Sequence, residues 1–192
     1  MTGFQLVNPE LMSKRLDLLR QLIPNLSRIG LVEPITASAV ITPRYLEVTM
    51  AAARELQIEV HRMQVHSPTE FASAFTGMAR AGDQAAVVIS NPLSSEYRKE
   101  LVNSAAQSGL PTIYELKMFA TAGGLISYGA DLIQLAVDAS RYIDKVLKGE
   151  SPSDLPIQQP TKFELVINLR TAKALKLKIP PTLLALADEV IE

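Results

Sequence analysis

The sequence predicts an α/β fold, with a doubly wound parallel sheet of about five strands beside an incomplete second unit. Short apolar runs alternate with amphipathic helical segments through residues 1–128, and the connections between them are short. Beyond Gly129 only one more strand pattern occurs, at residues 163–168, and a strand without neighbours cannot satisfy its backbone groups. We therefore expect residues 1–128 to form one domain and residues 129–192 to be return segments that complete another.

The predicted strands are short apolar runs. Residues 85–89 are continuously apolar, which is typical of a parallel strand covered on both faces. The strands predicted for the sheet are residues 28–32, 58–65, 85–89, 111–114 and 125–128. Because open parallel sheets bind ligands beyond the carboxyl ends of their strands, functional residues are expected in the loops that follow these runs.

Capping residues predict where four helices of this sheet begin. They are Asn8 before Pro9, Thr42 before Pro43, Ser67 with Glu70 in a capping box, and Ser94 or Ser95. A shorter helix is expected at residues 115–121. Strands and helices therefore alternate without a break up to Tyr128.

The segments after Gly129 have a different pattern. Asp131 begins an amphipathic helix that ends near Gly149, a proline-rich connection follows, and the strand at 163–168 precedes helices at 169–175 and 182–191. Their apolar faces would be exposed where the rest of a sheet belongs. Because large apolar patches and open strand edges associate, we expect a homodimer through these segments.

Composition limits the classes of function. The net charge of −1 offers no electrostatic basis for binding nucleic acid, and the absence of cysteine excludes thiolate catalysis and cysteine metal sites. The hydrophobic fraction of 47% permits a substantial core. Residues 1–4 carry neither a basic nor an apolar signal region, so no secretory signal is predicted within this chain.

Signals for an enzyme are weak, and we predict no catalytic residue, metal or cofactor. His61 and His66 lie five residues apart on a predicted strand, so their side chains point to opposite faces. Ser94 and Ser95 lack the glycines of a nucleophile elbow, and helix capping explains them better. Gly123 precedes Gly124 without the spacing of a phosphate-binding loop.

A ligand-binding site is favoured instead. Five residues that follow strands at the carboxyl edge carry small polar groups, an amide, carboxylates and one aromatic ring: Glu33, Ser90, Asn91, Tyr114 and Glu115. Ser90 and Asn91 suit hydrogen bonds to a small zwitterion, Tyr114 suits stacking and Glu115 suits an amine. The alternative, equally weighted, is that Ser90 and Asn91 form a turn at a helix entry and that Tyr114 packs at a strand end.

A family resemblance supports the binding interpretation. The segment Ala-Gly-Gly-Leu-Ile-Ser-Tyr-Gly at residues 122–129 is its most characteristic part. Further similar segments are residues 12–19, 51–56, 142–149, 154–156, 159–168, 171–175 and 187–191. Together they resemble the substrate-binding proteins of ABC transporters, in the branch whose better-known members bind aromatic amino acids such as tryptophan.

The resemblance implies a periplasmic-binding-protein-like fold, with two Rossmann-like lobes and a small ligand held between them. It also implies a periplasmic location, an ABC permease as partner, and a hinge at Ser127, Tyr128 and Gly129. Members of the family usually have a signal peptide and a first lobe ahead of the segment that this sequence resembles. We therefore expect a shortened member that carries lobe two.

Two departures from the family pattern concern different properties. Where the family often has Trp-Asn-Pro, this chain has Val32-Glu33-Pro34, so the ligand can differ. Lys176 replaces a glycine at a helix end, which affects stability. The rival hypotheses are a stand-alone sensory or regulatory ligand-binding domain, and an enzyme on a flavodoxin-like sheet that would use Glu33 and Glu115.

Overall fold

The computed structural model describes residues 2–4, 9–36 and 43–192. The predicted capping residues Asn8 and Thr42 lie outside these ranges. The elements up to the fifth predicted strand are β1 (Gly3–Phe4), α1 (Met12–Leu22), β2 (Arg28–Pro34), α2 (Pro43–Glu55), β3 (Glu59–Val65), α3 (Phe71–Arg80), β4 (Ala85–Val88), α4 (Pro92–Glu96), α5 (Arg98–Ser108), β5 (Thr112–Tyr114), α6 (Lys117–Thr121) and β6 (Ile126–Ala130). All five predicted strands are present.

The remaining elements follow β6. They are α7 (Leu132–Leu147), β7 (Ile157–Gln158), β8 (Phe163–Asn168), α8 (Leu169–Ala174), α9 (Pro181–Leu186) and β9 (Glu189–Ile191). In the described residues, the main sheet has seven strands in the order β3-β2-β4-β5-β6-β8-β9. Its first five strands are parallel, so the predicted α/β fold with a mostly parallel sheet is confirmed.

The core lies on both faces of the sheet, as a doubly wound arrangement requires. On one face, buried side chains of α1, α2, α8 and α9 pack against sheet residues such as Leu31 and Ile113. On the other face, α3, α5 and α6 pack against alternate residues such as Val32 and Tyr114. Because successive strand side chains point to opposite faces, the central strands are apolar at nearly every position.

The strand at residues 163–168 has partners, contrary to the expectation that it lacks neighbours in this chain. It is β8, which pairs antiparallel with β6 and parallel with β9. Burial at Leu165, Val166 and Ile167 is complete or nearly so. The predicted terminal helix at 182–191 is also corrected: α9 ends at Leu186, and residues 189–191 form the edge strand β9. Hydrogen bonding to β8 outweighs the helical pattern of this segment.

Two helix starts differ from the predicted ones. The Ser67 side chain makes no capping bond; residues 68–70 form a 3₁₀ turn, and the Glu70 carboxylate accepts the His66 N–H at 2.9 Å. Asn91, rather than Ser94 or Ser95, caps the helix that follows β4. That helix is interrupted at Tyr97, so that α4 and α5 are separate.

α7 lies outside both halves of the core. It contains no buried residue, and Ile133 and Leu147 are 75% and 82% exposed. The helix contacts the small parallel pair β1–β7: the ring of Tyr142 meets Phe4 edge-on at 5.0 Å, and its hydroxyl donates to the Pro156 carbonyl. Most of its apolar stripe is therefore uncovered.

Candidate functional site

The carboxyl ends of β2, β4 and β5 form the candidate site. The loop after β2 is described only as far as Thr36, so the remainder of the predicted binding loop lies outside the described residues. The loops after β4 and β5 meet, because the Ser90 N–H donates to Glu115 Oε2 at 2.6 Å. The loops after β2 and β4 also meet, through Asn91 Nδ2 and the Pro34 carbonyl at 2.7 Å.

Glu115 is the centre of this arrangement. Its Oε1 atom accepts from Arg15 Nη1 at 2.8 Å and from the Tyr45 hydroxyl, while Oε2 accepts from Ser90. The carboxylate side chain is 13% exposed. Burial, followed by the charge of Glu115, raises the pKa of Tyr45, so its hydroxyl stays protonated and donates. The site edge therefore presents a carboxylate whose charge is compensated from the protein side.

Arg15 and Tyr45 were not among the predicted site residues. Arg15 is 2% exposed and lies within the apolar stripe of α1, between Met12 and Leu19. A cation within an apolar stripe indicates a buried ion pair, because a buried charge requires a partner of opposite charge. The partner could not be read from the sequence, since Glu115 lies 100 residues away.

Asn91 and Ser90 have different roles. Asn91 Oδ1 accepts the Ser94 N–H at 3.0 Å, and its amide nitrogen donates to Pro34, so the side chain caps α4 and joins two loops. For Asn91 this matches the second predicted role, a turn at a helix entry, rather than ligand binding. The Ser90 hydroxyl is buried, and within the described part of the chain it has no hydrogen-bond partner. Ser90 thus keeps an unused polar group at the edge.

Glu33 and Tyr114 do not join the Ser90–Glu115 group. The Glu33 carboxylate is buried and takes a two-bond contact from the Arg62 guanidinium, at 2.5 and 2.8 Å. Tyr114 is 1% exposed, its ring stacks on Phe119 with centroids 5.2 Å apart, and burial raises its pKa. Its placement matches the packing alternative rather than ligand stacking.

The predicted hinge residues occupy the end of β6. Ser127, Tyr128 and Gly129 pair with Val166, Leu165 and Glu164 of β8. The next residue but one, Asp131, accepts the Ile133 and Gln134 N–H groups and so caps α7. Its carboxylate also contacts Lys162 Nζ at 2.9 Å. The chain thus leaves the sheet through β6 to enter α7, and it returns to the sheet through the adjacent strand β8.

His61 lies away from the Ser90–Glu115 group. His61 Nδ1 contacts Asp83 Oδ2 at 2.7 Å, and Arg28 contacts the other oxygen of the same carboxylate at 2.9 Å. In residues 2–4, 9–36 and 43–192, no three possible metal-binding side chains lie close enough together to hold a metal ion. Within the same ranges, no helix has the length and apolar character needed to span a bilayer.

Comparison with known proteins identifies the family that the chain matches. A family model described as "ABC transporter substrate binding protein" matches residues 1–191. A curated tyrosine-binding protein from Clostridioides difficile is 25% identical over 166 residues, which are 86% of this chain and 47% of that protein. The chain thus spans about half the length of this relative.

Solved structures give the same result for the fold. The ABC domain of a Streptococcus pneumonia protein in complex with L-Trp has 28% identity and a TM-score of 0.86; the match covers 99% of this chain and 63% of that one. A conserved domain protein from Vibrio cholerae has 22% identity and a TM-score of 0.86, with 98% and 62% of the two chains covered.

Proposed function

Because the chain belongs to the ABC transporter substrate binding protein family, we propose that it binds an amino acid with an aromatic side chain for an ABC import system. Tyrosine and L-Trp are the ligands named for two relatives, which supports this class. The permease would be the protein partner, and the periplasm or cell exterior the location. The ligand would be taken up without chemical change.

The observation that carries this proposal is the pairing of Ser90 with Glu115. A carboxylate oxygen can accept more than one hydrogen bond, and among the described residues Glu115 Oε2 accepts from Ser90 alone. The Ser90 hydroxyl, which has no hydrogen-bond partner among the residues that the structure describes, belongs to the residue whose N–H reaches that oxygen. An ammonium group carries three donors and a positive charge, so it suits these two acceptors.

α7 and the β1–β7 pair support a two-lobe arrangement. We propose that residues 161–191 complete the sheet of lobe two, whereas β1, α7 and β7 belong to a second lobe across the hinge. Ligand would stabilise the closed state because only closure allows both lobes to contact it. With the contacts of one lobe alone, affinity in the millimolar range is expected, since the cost of immobilising the ligand remains.

Self-association is proposed through the same segments. Ile133, Ile143 and Leu147 are exposed on α7, and apolar stripes of this kind are usually covered in soluble proteins. A second copy that packs its own α7 against them would bury both stripes. The interface would then be isologous.

The test is an NMR titration of the 192-residue chain with L-tyrosine, L-tryptophan and a deaminated aromatic acid, up to millimolar concentrations. We expect the Ser90 and Glu115 amides to shift with the amino acids and to respond less to the deaminated acid. Ser90→Ala should weaken binding, whereas Ser104→Ala, at a partly exposed serine of α5, should not. Lack of any response to either amino acid would reject the proposed ligand class.

A further inference from the structure

Arg15 joins the candidate site to the hinge. Its guanidinium bonds to three described residues: Nη1 to Glu115 Oε1 at 2.8 Å, Nη1 to the Tyr45 hydroxyl at 3.4 Å, and Nε to the Tyr128 carbonyl at 2.9 Å. These partners come from the loop after β5, from α2 and from β6. One side chain of α1 thus contacts both the Glu115 carboxylate and the strand that leads to α7.

The contact with Tyr128 arises because β6 extends beyond β5. The last paired residues of these two strands are Tyr114 and Ser127. On the other side of β6, Leu165 lies opposite Tyr128, but its N–H donates to the Asp188 carboxylate and its carbonyl accepts the Asp188 N–H. The Tyr128 carbonyl therefore faces the side where β5 has ended. Arg15 Nε supplies the hydrogen bond that a strand would otherwise provide.

We propose that Arg15 is a positioning residue, which holds the Glu115 carboxylate and the start of the hinge in one fixed geometry. The inference rests on the proposed function, because it assumes that the ligand amine binds Glu115. An ammonium at Oε2 competes for the charge that Arg15 now compensates at Oε1. When the Arg15–Glu115 ion pair weakens, the planar guanidinium shifts, and its hydrogen bond to the Tyr128 carbonyl changes with it.

The guanidinium is needed for its shape as well as for its charge. Arginine presents donors in a rigid planar fork, and here Nε and Nη1 serve acceptors on two different elements. A lysine ammonium is a single point on a flexible stem. Arg15→Lys should keep the ion pair with Glu115 and lose the bond to Tyr128.

The test compares the chain with its Arg15→Lys and Tyr45→Phe variants. The measured quantities are affinity for L-tyrosine and L-tryptophan, hydrogen exchange of the Ser90 amide, and the carbonyl ¹³C chemical shift of Tyr128. In the unmodified chain, added amino acid should shift the Tyr128 carbonyl signal. Arg15→Lys should abolish that response and weaken affinity at least about tenfold. Tyr45→Phe keeps the Arg15–Tyr128 bond and should keep the response.

Arg62→Lys is the matched control, because it makes the same change at the guanidinium that pairs with Glu33. It should leave both the affinity and the Tyr128 signal unchanged. An Arg15→Lys variant with normal affinity and a normal Tyr128 response would overturn the inference. If the unmodified chain binds neither amino acid, the proposed function fails separately. The inference is then decided without ligand: an unchanged Tyr128 signal and Ser90 exchange in Arg15→Lys would overturn it.

Discussion

The carbonyl oxygen of Glu115 lies 1.7 Å from the point where a Cβ atom would stand on Gly129. The backbone that follows β5 thus passes directly against the end of β6, where the hinge is proposed. No side chain can occupy this position without moving one of the two backbones. The close approach places the backbone of Glu115 in direct contact with β6.

Gly129→Ala should therefore lower the free energy of unfolding by about 3 kcal/mol, because the methyl group meets backbone rather than a flexible side chain. Gly77→Ala is the control. Gly77 lies in α3, and the nearest atom to its Cβ position is Met63 Cε at 3.8 Å. That substitution should raise stability by about 0.5–1 kcal/mol. Urea unfolding of both variants measures the difference, and equal effects would contradict the close approach.

Lys176 gives a second prediction about backbone geometry. It has φ of +57° just after α8, where its N–H donates to the Lys173 carbonyl and the Leu177 N–H donates to Ala172. This pattern is a Schellman motif, in which glycine is favoured at the left-handed position. Lys176→Gly should raise the free energy of unfolding by about 0.5–1 kcal/mol.

Gln57→Gly tests the same rule at the end of α2, where φ is also +57°. It should be stabilising as well, whereas Lys173→Gly within α8 should cost about 1 kcal/mol. Thermal or urea unfolding distinguishes the three variants. A destabilising Lys176→Gly would mean that the lysine side chain contributes more than its backbone strain costs.

Tyr114→Leu separates packing from ligand stacking. The substitution removes the ring that stacks on Phe119, and should lower the free energy of unfolding by about 2 kcal/mol. Because the Tyr114 ring is buried, affinity for aromatic amino acids should not change. Phe119→Leu removes the same stack from the other side and serves as control. A tenfold loss of affinity in a folded Tyr114→Leu variant alone would favour the stacking role.

The stability difference between the unmodified chain and a Glu164→Gln variant should depend on pH. Burial, opposed by Lys117 at 3.8 Å, raises the pKa of Glu164 in the folded protein. A raised carboxyl pKa means that folding favours the protonated form. The cost of ionisation is therefore fully present above the folded-state pKa and vanishes as the pH falls below the unfolded-state value.

Glu164→Gln should thus stabilise the chain at pH 7, by less than about 1 kcal/mol because the group is partly solvated. The gain should disappear toward pH 4, near the ordinary range of a glutamate. Glu47→Gln, at an exposed position, should show no such trend. Urea unfolding at several pH values provides the measurement. A gain that stays constant with pH would rule out the titration of Glu164 as its cause.

The uncovered stripe of α7 predicts self-association. The double substitution Ile143→Lys and Leu147→Lys should lower the fraction of dimer, because it places charges on the apolar face. Analytical ultracentrifugation measures that fraction. Stability should change by less than about 0.5 kcal/mol, since neither side chain is buried. Ala136→Lys with Ser140→Lys adds the same charge at other exposed positions of α7. A monomer in the unmodified chain, or no effect of the first pair, would reject this interface.

Much of the fold could be predicted because it depends on local pattern. The five parallel strands were predicted, and residues 163–168 were correctly assigned as a strand. Their pairing with β6 was not predicted, because α7 and its connection separate the two strands and no local pattern records which strand lies alongside. The end of the chain was predicted as helix, although backbone bonding to β8 makes it β9.

The candidate site shows the same division. Ser90 and Glu115 were predicted from their positions after β4 and β5, and the structure brings them into direct contact. Arg15 was missed because a helix stripe indicates that a position is buried, not which carboxylate neutralises the charge there. For Tyr114 the sequence left two roles open, ligand stacking and packing at a strand end. Its burial against Phe119 favours packing, and this contact is visible only in the structure.

The amino-acid sequence by itself determined the order and type of the elements up to β6, because hydrophobic period and capping act over a few neighbouring residues. The tertiary structure alone decided that β8 closes onto β6, that Arg15 spans from Glu115 to Tyr128, and that Glu115 approaches the Gly129 backbone. Each of these contacts joins residues that are distant along the chain. They form only when packing of the two faces of the sheet has fixed where the strands end.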